Sequence, residues 1–437
     1  MKHRQVLTGA PLLALTLALT PACGESREAA MPQTAGGGGL AGALSVGGGG
    51  SGGGGAGSGG ATTGGLVGTS GASGATGGGA GGNAPTDCAA SPASLFCQPL
   101  GAMPATIKAT GLFPFAPDLS RHAANMLEYV PDPPLWSDGM EKQRFLVLPA
   151  GTKIDNGDAK RWAFPVGTLF VKTFFDDSAA AGAPRPIETR LIRATMNGQY
   201  EFFVYQWNAD SSDATLVVND IDGDINAEIP VSITIKRVVG GQPFTINGGQ
   251  PFAHALPSRN ACGLCHEQNG MVAQTFIGFD ELRLNSKLTP DAPKTQLQTF
   301  ADAGLFSMPV SAAPATITDT SDDGGRLLRI KRFVFGNCVT CHNGGGQVDL
   351  HPDLFVANTV GKPTEAQSVV PPAGWLRVIP GDPSKSVLYV QMQRTMLPPA
   401  NGASNRLRAM PPVGLADVAV EQTALKDVFD WITALPK

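Results

Sequence analysis

The chain has 437 residues, a length that suits about two to four domains, and its 42% hydrophobic content and mean hydropathy of +0.00 are ordinary for soluble protein. A net charge of −4 provides no basic field of the kind that holds nucleic acid, which excludes nucleic-acid partners. Nearly half of the 56 glycines lie between Gly36 and Gly82, and no Asp, Glu, Lys or Arg occurs from Ala29 to Thr86. Such a stretch buries too little apolar surface to offset chain entropy, so residues 23–86 are expected to be a flexible Gly/Ser tether.

Residues 1–22 read as an export leader. Met1-Lys2-His3-Arg4 is the basic start, Val6 to Leu19 a mostly apolar run, and Thr20-Pro21-Ala22 an exit before Cys23. The run is shorter than the roughly 20 residues that span a bilayer. Cys23, followed by Gly24 and the tether, resembles the lipid-attachment cysteine of bacterial lipoproteins, although Thr20 and Pro21 depart from the usual pattern. Simple cleavage after Ala22 is the alternative. Cys88 and Cys97, where order is expected to begin, are read as a small structural disulfide loop of an exported protein.

Residues 87–259 carry a period-two, β-rich signal. Strands are predicted at Arg144 to Leu148, Leu169 to Phe175, Glu188 to Thr195, Gln199 to Trp207, Ala214 to Val218 and Val231 to Val238, separated by Gly, Pro and Asp turns. The expectation is an all-β module, sandwich or barrel-like. The run Asn219 to Asp224 lacks a calcium loop's terminal Glu and reads as an Asp222-Gly223 hairpin turn. Trp136, Asp138, Lys142, Arg144, Lys172, Glu188 and Arg190 recur in a lightly charged domain; fold-stabilising ion pairs or surface groups are favoured over a catalytic site.

Residues 260–325 and 326–437 each contain one copy of a C-x-x-C-H motif: Cys262-Gly263-Leu264-Cys265-His266 and Cys338-Val339-Thr340-Cys341-His342. Composition alone predicts on the order of 0.001 such motifs in the chain. Two thiols spaced by two residues on a helical turn can add to both vinyl groups of one haem, while the next imidazole becomes an axial ligand of the iron. A zinc site would need no His after each pair, and a thioredoxin-like redox pair would need a βαβ context. Two covalently attached c-type haems are therefore expected, with His266 and His342 as proximal ligands.

For the second iron, Met410 in Ala409-Met410-Pro411-Pro412 is the favoured sixth ligand; Met396 and Met392 are rivals. For the first iron, Met308 is the leading single candidate, with Met271, His254 and an open site as the other readings. Helices are predicted from Arg326 to Asn337 and from Asp417 to Leu435, giving mainly α, cytochrome c-like haem domains after the β module. Arg326, Arg329, Lys331 and Arg332 are candidates for haem propionates or an electron donor, with a solvated helix face favoured for most of them.

Further stretches carry a resemblance: Pro134-Leu135-Trp136-Ser137-Asp138-Gly139, Trp162 through Gly167, Lys172-Thr173-Phe174, Glu188-Thr189-Arg190-Leu191, Pro257-Ser258-Arg259, Leu282 to Asn285, Pro380-Gly381-Asp382-Pro383, and Met410-Pro411-Pro412 with a helix ending Trp431-Ile432. With the two haem motifs they make the chain similar, from Gly111 onward, to a family of bacterial dihaem c-type cytochromes with an N-terminal β domain. The resemblance implies electron transfer by bound haem. Together these readings describe an exported, lipid-anchored electron carrier facing the periplasm or cell exterior, exchanging electrons with a donor dehydrogenase and a respiratory acceptor. The competing expectations are a dihaem peroxidase-like enzyme or dehydrogenase cytochrome subunit, and a β domain that captures carbohydrate or protein.

Overall fold

Residues 127–216 place apolar side chains at alternate positions on more than one strand, which gives an antiparallel sheet two distinct faces. In a computed structural model of the chain they form six strands paired in sequential order: β1 (Leu127–Glu128), β2 (Glu141–Val147), β3 (Leu169–Asp176), β4 (Arg185–Ala194), β5 (Tyr200–Trp207) and β6 (Ala214–Leu216). The structure describes residue 95 and residues 101–437, apart from 159–161, 179–183, 196–198, 218–228, 240–241, 259–261, 264–265, 267–275, 345–347, 365–369, 394–409 and 411–421. All of these belong to one unit, Gly78–Lys437.

One face of the sheet buries Phe145, Val147, Leu169, Val171, Leu191, Phe203, Tyr205 and Trp207 against Ile107, Leu112 and Phe113 from the segment preceding β1. The opposite face is divided. At one end Leu146, Phe170, Ala194 and Phe202 pack against Trp162, Phe276, Phe279 and Phe300. At the other, Phe174 joins Met140, Ile187, Ile233, Ile235 and Ile246. The last three come from two small ribbons and their links: β7 (Ile229–Ile233) pairs with β10 (Phe252–Leu256), and β8 (Lys236–Val239) with β9 (Gln242–Thr245).

The predicted strand from Val231 to Val238 is thus two strands in separate ribbons. At the break the Thr234 N–H donates to Asp176 Oδ2 (3.0 Å) and the Lys236 N–H to Asp177 Oδ2 (2.7 Å), so aspartates take the place of a strand partner. The predicted Asp222-Gly223 turn lies outside the described residues.

Among the described residues six α-helices follow: α1 (Glu281–Leu284), α2 (Gln296–Asp302), α3 (Arg326–Asn337), α4 (Phe355–Thr359), α5 (Val387–Met392) and α6 (Gln422–Ala434). The expected fold class needs correction. Among the described residues 23% are helical and 24% are in strands, so the chain does not continue from its β region into mainly α haem domains. Only α3 and α6 exceed two turns. The chain between helices is held by isolated bridges, including Val360 with Val378 and Leu376 with Ser386. Among the described residues the β region is one six-stranded sheet in sequential order, not a sandwich or barrel, with Thr106 bridged antiparallel to Thr215 beyond β6 and both faces covered by loops and ribbons.

Helix α3 has the predicted bounds, and α6 lies within the predicted closing helix. They cross in one apolar cluster, where Leu327, Ile330 and Val334 meet Leu425, Val428, Trp431 and Ile432. A Cβ at Gly336 in α3 would stand 2.9 Å from the Pro134 carbonyl oxygen and 3.3 Å from the Pro133 ring. The adjacent Asn337 accepts the Trp136 N–H at 2.7 Å, fixing the 133–136 segment to the end of the helix. Alanine at position 336 would gain about 1 kcal/mol of helix propensity, but the contact is with backbone and a rigid ring. Gly336→Ala is expected to destabilise the protein by about 1–3 kcal/mol, read as a lower urea midpoint at constant m-value.

Candidate functional site

The second C-x-x-C-H motif begins where α3 ends. The Cys338 N–H donates to the Val334 carbonyl (2.7 Å), the Cys341 N–H to the Cys338 carbonyl (3.1 Å) and the His342 N–H to the same carbonyl (2.9 Å), so a helical turn presents both thiols and the imidazole. The His342 carbonyl accepts the Leu350 N–H at 2.9 Å, which anchors the far side of the turn. Burial, then the neighbouring Cys341, pushes the Cys338 thiol up to about 12. Val339 and Cys338 pack into the α3–α6 cluster together with Met392 of α5.

Met410, the predicted sixth ligand, is half-buried, and its N–H donates to the Gln391 carbonyl at 3.3 Å. It is thereby tied to α5, which contributes Met392 to the cluster that supports the motif. Met396 lies outside the described residues; Met392 is 2% exposed, as core packing requires. Three of the four basic residues of α3 have carboxylate partners: Arg329 with Asp427 (2.7 Å), Lys331 with Asp319 (3.2 Å) and Arg332 with Asp132 (2.5 Å).

The first motif rests on the sheet. The Cys262 N–H donates to the Ser258 carbonyl (3.1 Å), and Cys262 is buried in the cluster of Phe170, Phe202 and Phe276. The His266 ring stands 5.6 Å from Phe202 and 5.3 Å from Phe276, centre to centre. Its Nδ1 is buried with no hydrogen-bond partner among the described residues. Burial, followed by the charges of Lys172 and Arg190, lowers the imidazole to about 3, so the ring is neutral and keeps a lone pair. Cys265 and Met271 lie outside the described residues, as do Cys23, Cys88 and Cys97. Met308 sits on the surface, 55% exposed, its backbone held by the Asn156 side chain at 2.9 and 3.0 Å. It is not part of the apolar cluster around Cys262.

The polar residues singled out in the sequence come together beside His266. Strand register sets Arg144 opposite Lys172 and Lys172 opposite Arg190, and the next row on the same face holds Lys142, Phe174 and Glu188. Arg190 pairs with Glu188 (2.5 Å), and Glu188 accepts His254 Nε2 at 3.0 Å; His254 Nδ1 meets Asp138 at 2.8 Å. Asp138, Glu188 and His254 are 0%, 0% and 2% exposed.

Asp138 is aimed inward by a tight turn. Asp138 (φ 49°) and Gly139 (φ 74°) are both left-handed, and the Met140 N–H closes on the Ser137 carbonyl at 3.0 Å. With both ring nitrogens engaged by carboxylates, His254 is not an iron ligand in this arrangement. The sequence contains each of these residues, but only the strand register reveals the clamp.

Compared with known proteins, the chain matches no protein family, no curated protein and no solved structure. The resemblance to dihaem c-type cytochromes therefore rests on the sequence motifs. Among the described residues no group of three or more His, Cys, Asp or Glu could hold a metal ion, and no helix is long and apolar enough to cross a membrane.

The clamp gives stability a definite pH dependence. Burial opposes ionisation of Glu188, but Arg190 and His254 outweigh it and hold the carboxyl at about 2. Its contribution is complete above about pH 4.5 and is lost as pH falls toward 2. His254 is shifted the other way: burial opposes its charge, yet Asp138 and Glu188 raise it above 6.5. Its contribution is complete below about pH 6.5 and is lost as pH rises through the raised value. Urea midpoints measured against pH should fall on both sides. His254→Gln should remove the alkaline decline and cost about 3–5 kcal/mol at pH 6, since two buried carboxylates lose their shared cation.

Proposed function

We propose that the chain is an exported dihaem c-type cytochrome that carries electrons between redox partner proteins. The observation that carries this reading is the paired C-x-x-C-H motif, supported by the helical turn at 338–342 that puts two thiols and an imidazole on one short segment. Covalently bound haem would supply reversible one-electron exchange at iron. The donor set suits such a group: a haem iron asks the protein for one or two axial donors, so it needs no cluster of metal-binding side chains.

Cys262 with Cys265 and Cys338 with Cys341 would hold the two groups through thioether bonds, with His266 and His342 as axial donors. His266 suits this role as a neutral imidazole among Phe202 and Phe276, whose rings exclude water. Met410 is the proposed sixth donor at the second group. The apolar packing around Val339 and Cys338 would keep that group dry.

The leader and Cys23 assign the chain, on the same proposal, to a membrane-anchored lipoprotein. The Gly/Ser tether lets the folded region search near the membrane at high effective concentration for a donor dehydrogenase and a respiratory acceptor.

Protein matured in an exporting host should give two haems per chain in a pyridine haemochrome assay, and intact mass should report the lipid on Cys23. Replacing Cys338 and Cys341 by Ala should remove one haem and leave the other. Met410→Ala should abolish the near-infrared charge-transfer band of methionine-ligated ferric haem and lower one midpoint potential. Colourless protein, or pigment extracted by acidified organic solvent, would refute the reading.

A further inference from the structure

The face of the sheet beneath His266 changes character across one row of residues. Leu146, Phe170, Ile192 and Phe202 lie opposite one another on β2 to β5, an apolar patch in contact with Phe276 and near His266. Two residues along each strand, on the same face, stand Arg144, Lys172, Arg190 and Val204. Three cations thus sit side by side on adjacent strands, where like charges directly opposite are destabilising.

The charge is not balanced locally. Glu188 pairs with Arg190, and Asp138 and Glu188 also enclose His254. Among the described residues neither Arg144 nor Lys172 has a carboxylate within ion-pair distance. Arg144 is 6% exposed. The Lys172 ammonium stands over the Phe174 ring at 4.5 Å, and Lys142 donates to the Leu135 carbonyl at 2.7 Å. Burial first, then neighbouring cations, holds both lysines well below their ordinary value, so an anion placed among them would favour their charged forms. An arrangement of this kind calls for an anionic ligand.

Resting on the haem reading of the first motif, we propose that Arg144 and Lys172, flanked by Lys142 and Arg190, form the anion site for the propionates of that haem. Haem is amphipathic, with an apolar macrocycle and two carboxylates on one edge. The sheet offers the matching sequence of an apolar patch followed by a cationic row. Arg144 and Lys172, the two members of the row without a carboxylate partner among the described residues, match the two carboxylates of haem. The sheet is then the seat of the first haem, and the family of polar residues beside it has a binding role in addition to its ion pairs.

The test uses the full chain with both haems, comparing wild type, Lys172→Met and Lys172→Arg. Potentiometric titration should show one midpoint potential lowered in Lys172→Met by about tenfold in the reduction equilibrium, or 59 mV for a one-electron couple, with the other unchanged. Removing a cation stabilises the more positive ferric state, which fixes the sign. The propionate bending band of the shifted haem should move in resonance Raman spectra, and Lys172→Arg should restore both readings. If Lys172→Met loses one haem, its recovery in Lys172→Arg supports the site and failure to recover overturns it. Unchanged potentials, or a shifted potential with an unchanged propionate band, overturns it as well. Wild-type protein without haem would instead refute the function itself, a result the haemochrome assay reports separately.

Discussion

Buried positive charge on one face of a six-stranded sheet constrains much of what surrounds it. Two unit charges 4 Å apart interact by about 4 kcal/mol at an effective dielectric constant of 20, so Arg144, Lys172 and Arg190 in one cross-strand row cannot be left to themselves. Part of the answer is built from protein. Glu188 takes Arg190, and His254 is shared between Glu188 and Asp138. The left-handed turn at Asp138 and Gly139 exists in this context as the device that points a carboxylate into the interior. Arg144 and Lys172 adjoin the apolar patch of Leu146, Phe170 and Phe202 near His266.

A second constraint is how the sheet region is joined to the other motif. The segment from Pro133 to Gly139 has contacts in both directions. Its Pro134 carbonyl lies close to Gly336 and the Trp136 N–H is accepted by Asn337, at the end of the helix that leads into Cys338. In the same segment the Leu135 carbonyl accepts Lys142 and Asp138 holds His254. Trp136 itself belongs to the apolar cluster of α3 and α6. Seven consecutive residues thus support the surroundings of both C-x-x-C-H turns.

Local patterns were legible where local physics governs. The apolar spacing from Arg326 to Asn337 is a helix with those bounds, because Leu327, Ile330 and Val334 fall on one face and meet α6. Strands β2 to β5 fall where strands were predicted, with bounds shifted by a few residues, and both of their faces are largely buried. The reading of Val231 to Val238 as one strand failed because Asp176 and Asp177, distant in sequence, capture the backbone at the break. The expectation of mainly α haem domains failed for a related reason: the segments between short helices are fixed by isolated bridges and buried side chains such as Leu350 and Val378, which carry no helical periodicity.

The sequence by itself determined the two C-x-x-C-H motifs and the glycine-rich composition between Gly36 and Gly82, since each is a matter of residue type along the chain. It also showed that Lys142, Arg144, Lys172, Glu188 and Arg190 are unusual in their setting. Only the tertiary structure decided that these residues form two adjacent rows on one sheet face, that His254 is held between two carboxylates, and that Met308 is exposed. Strand register decides which side chains meet, and a shift of one residue would turn every one of them to the other face. That register is set by pairings between segments tens of residues apart, which no local spacing records.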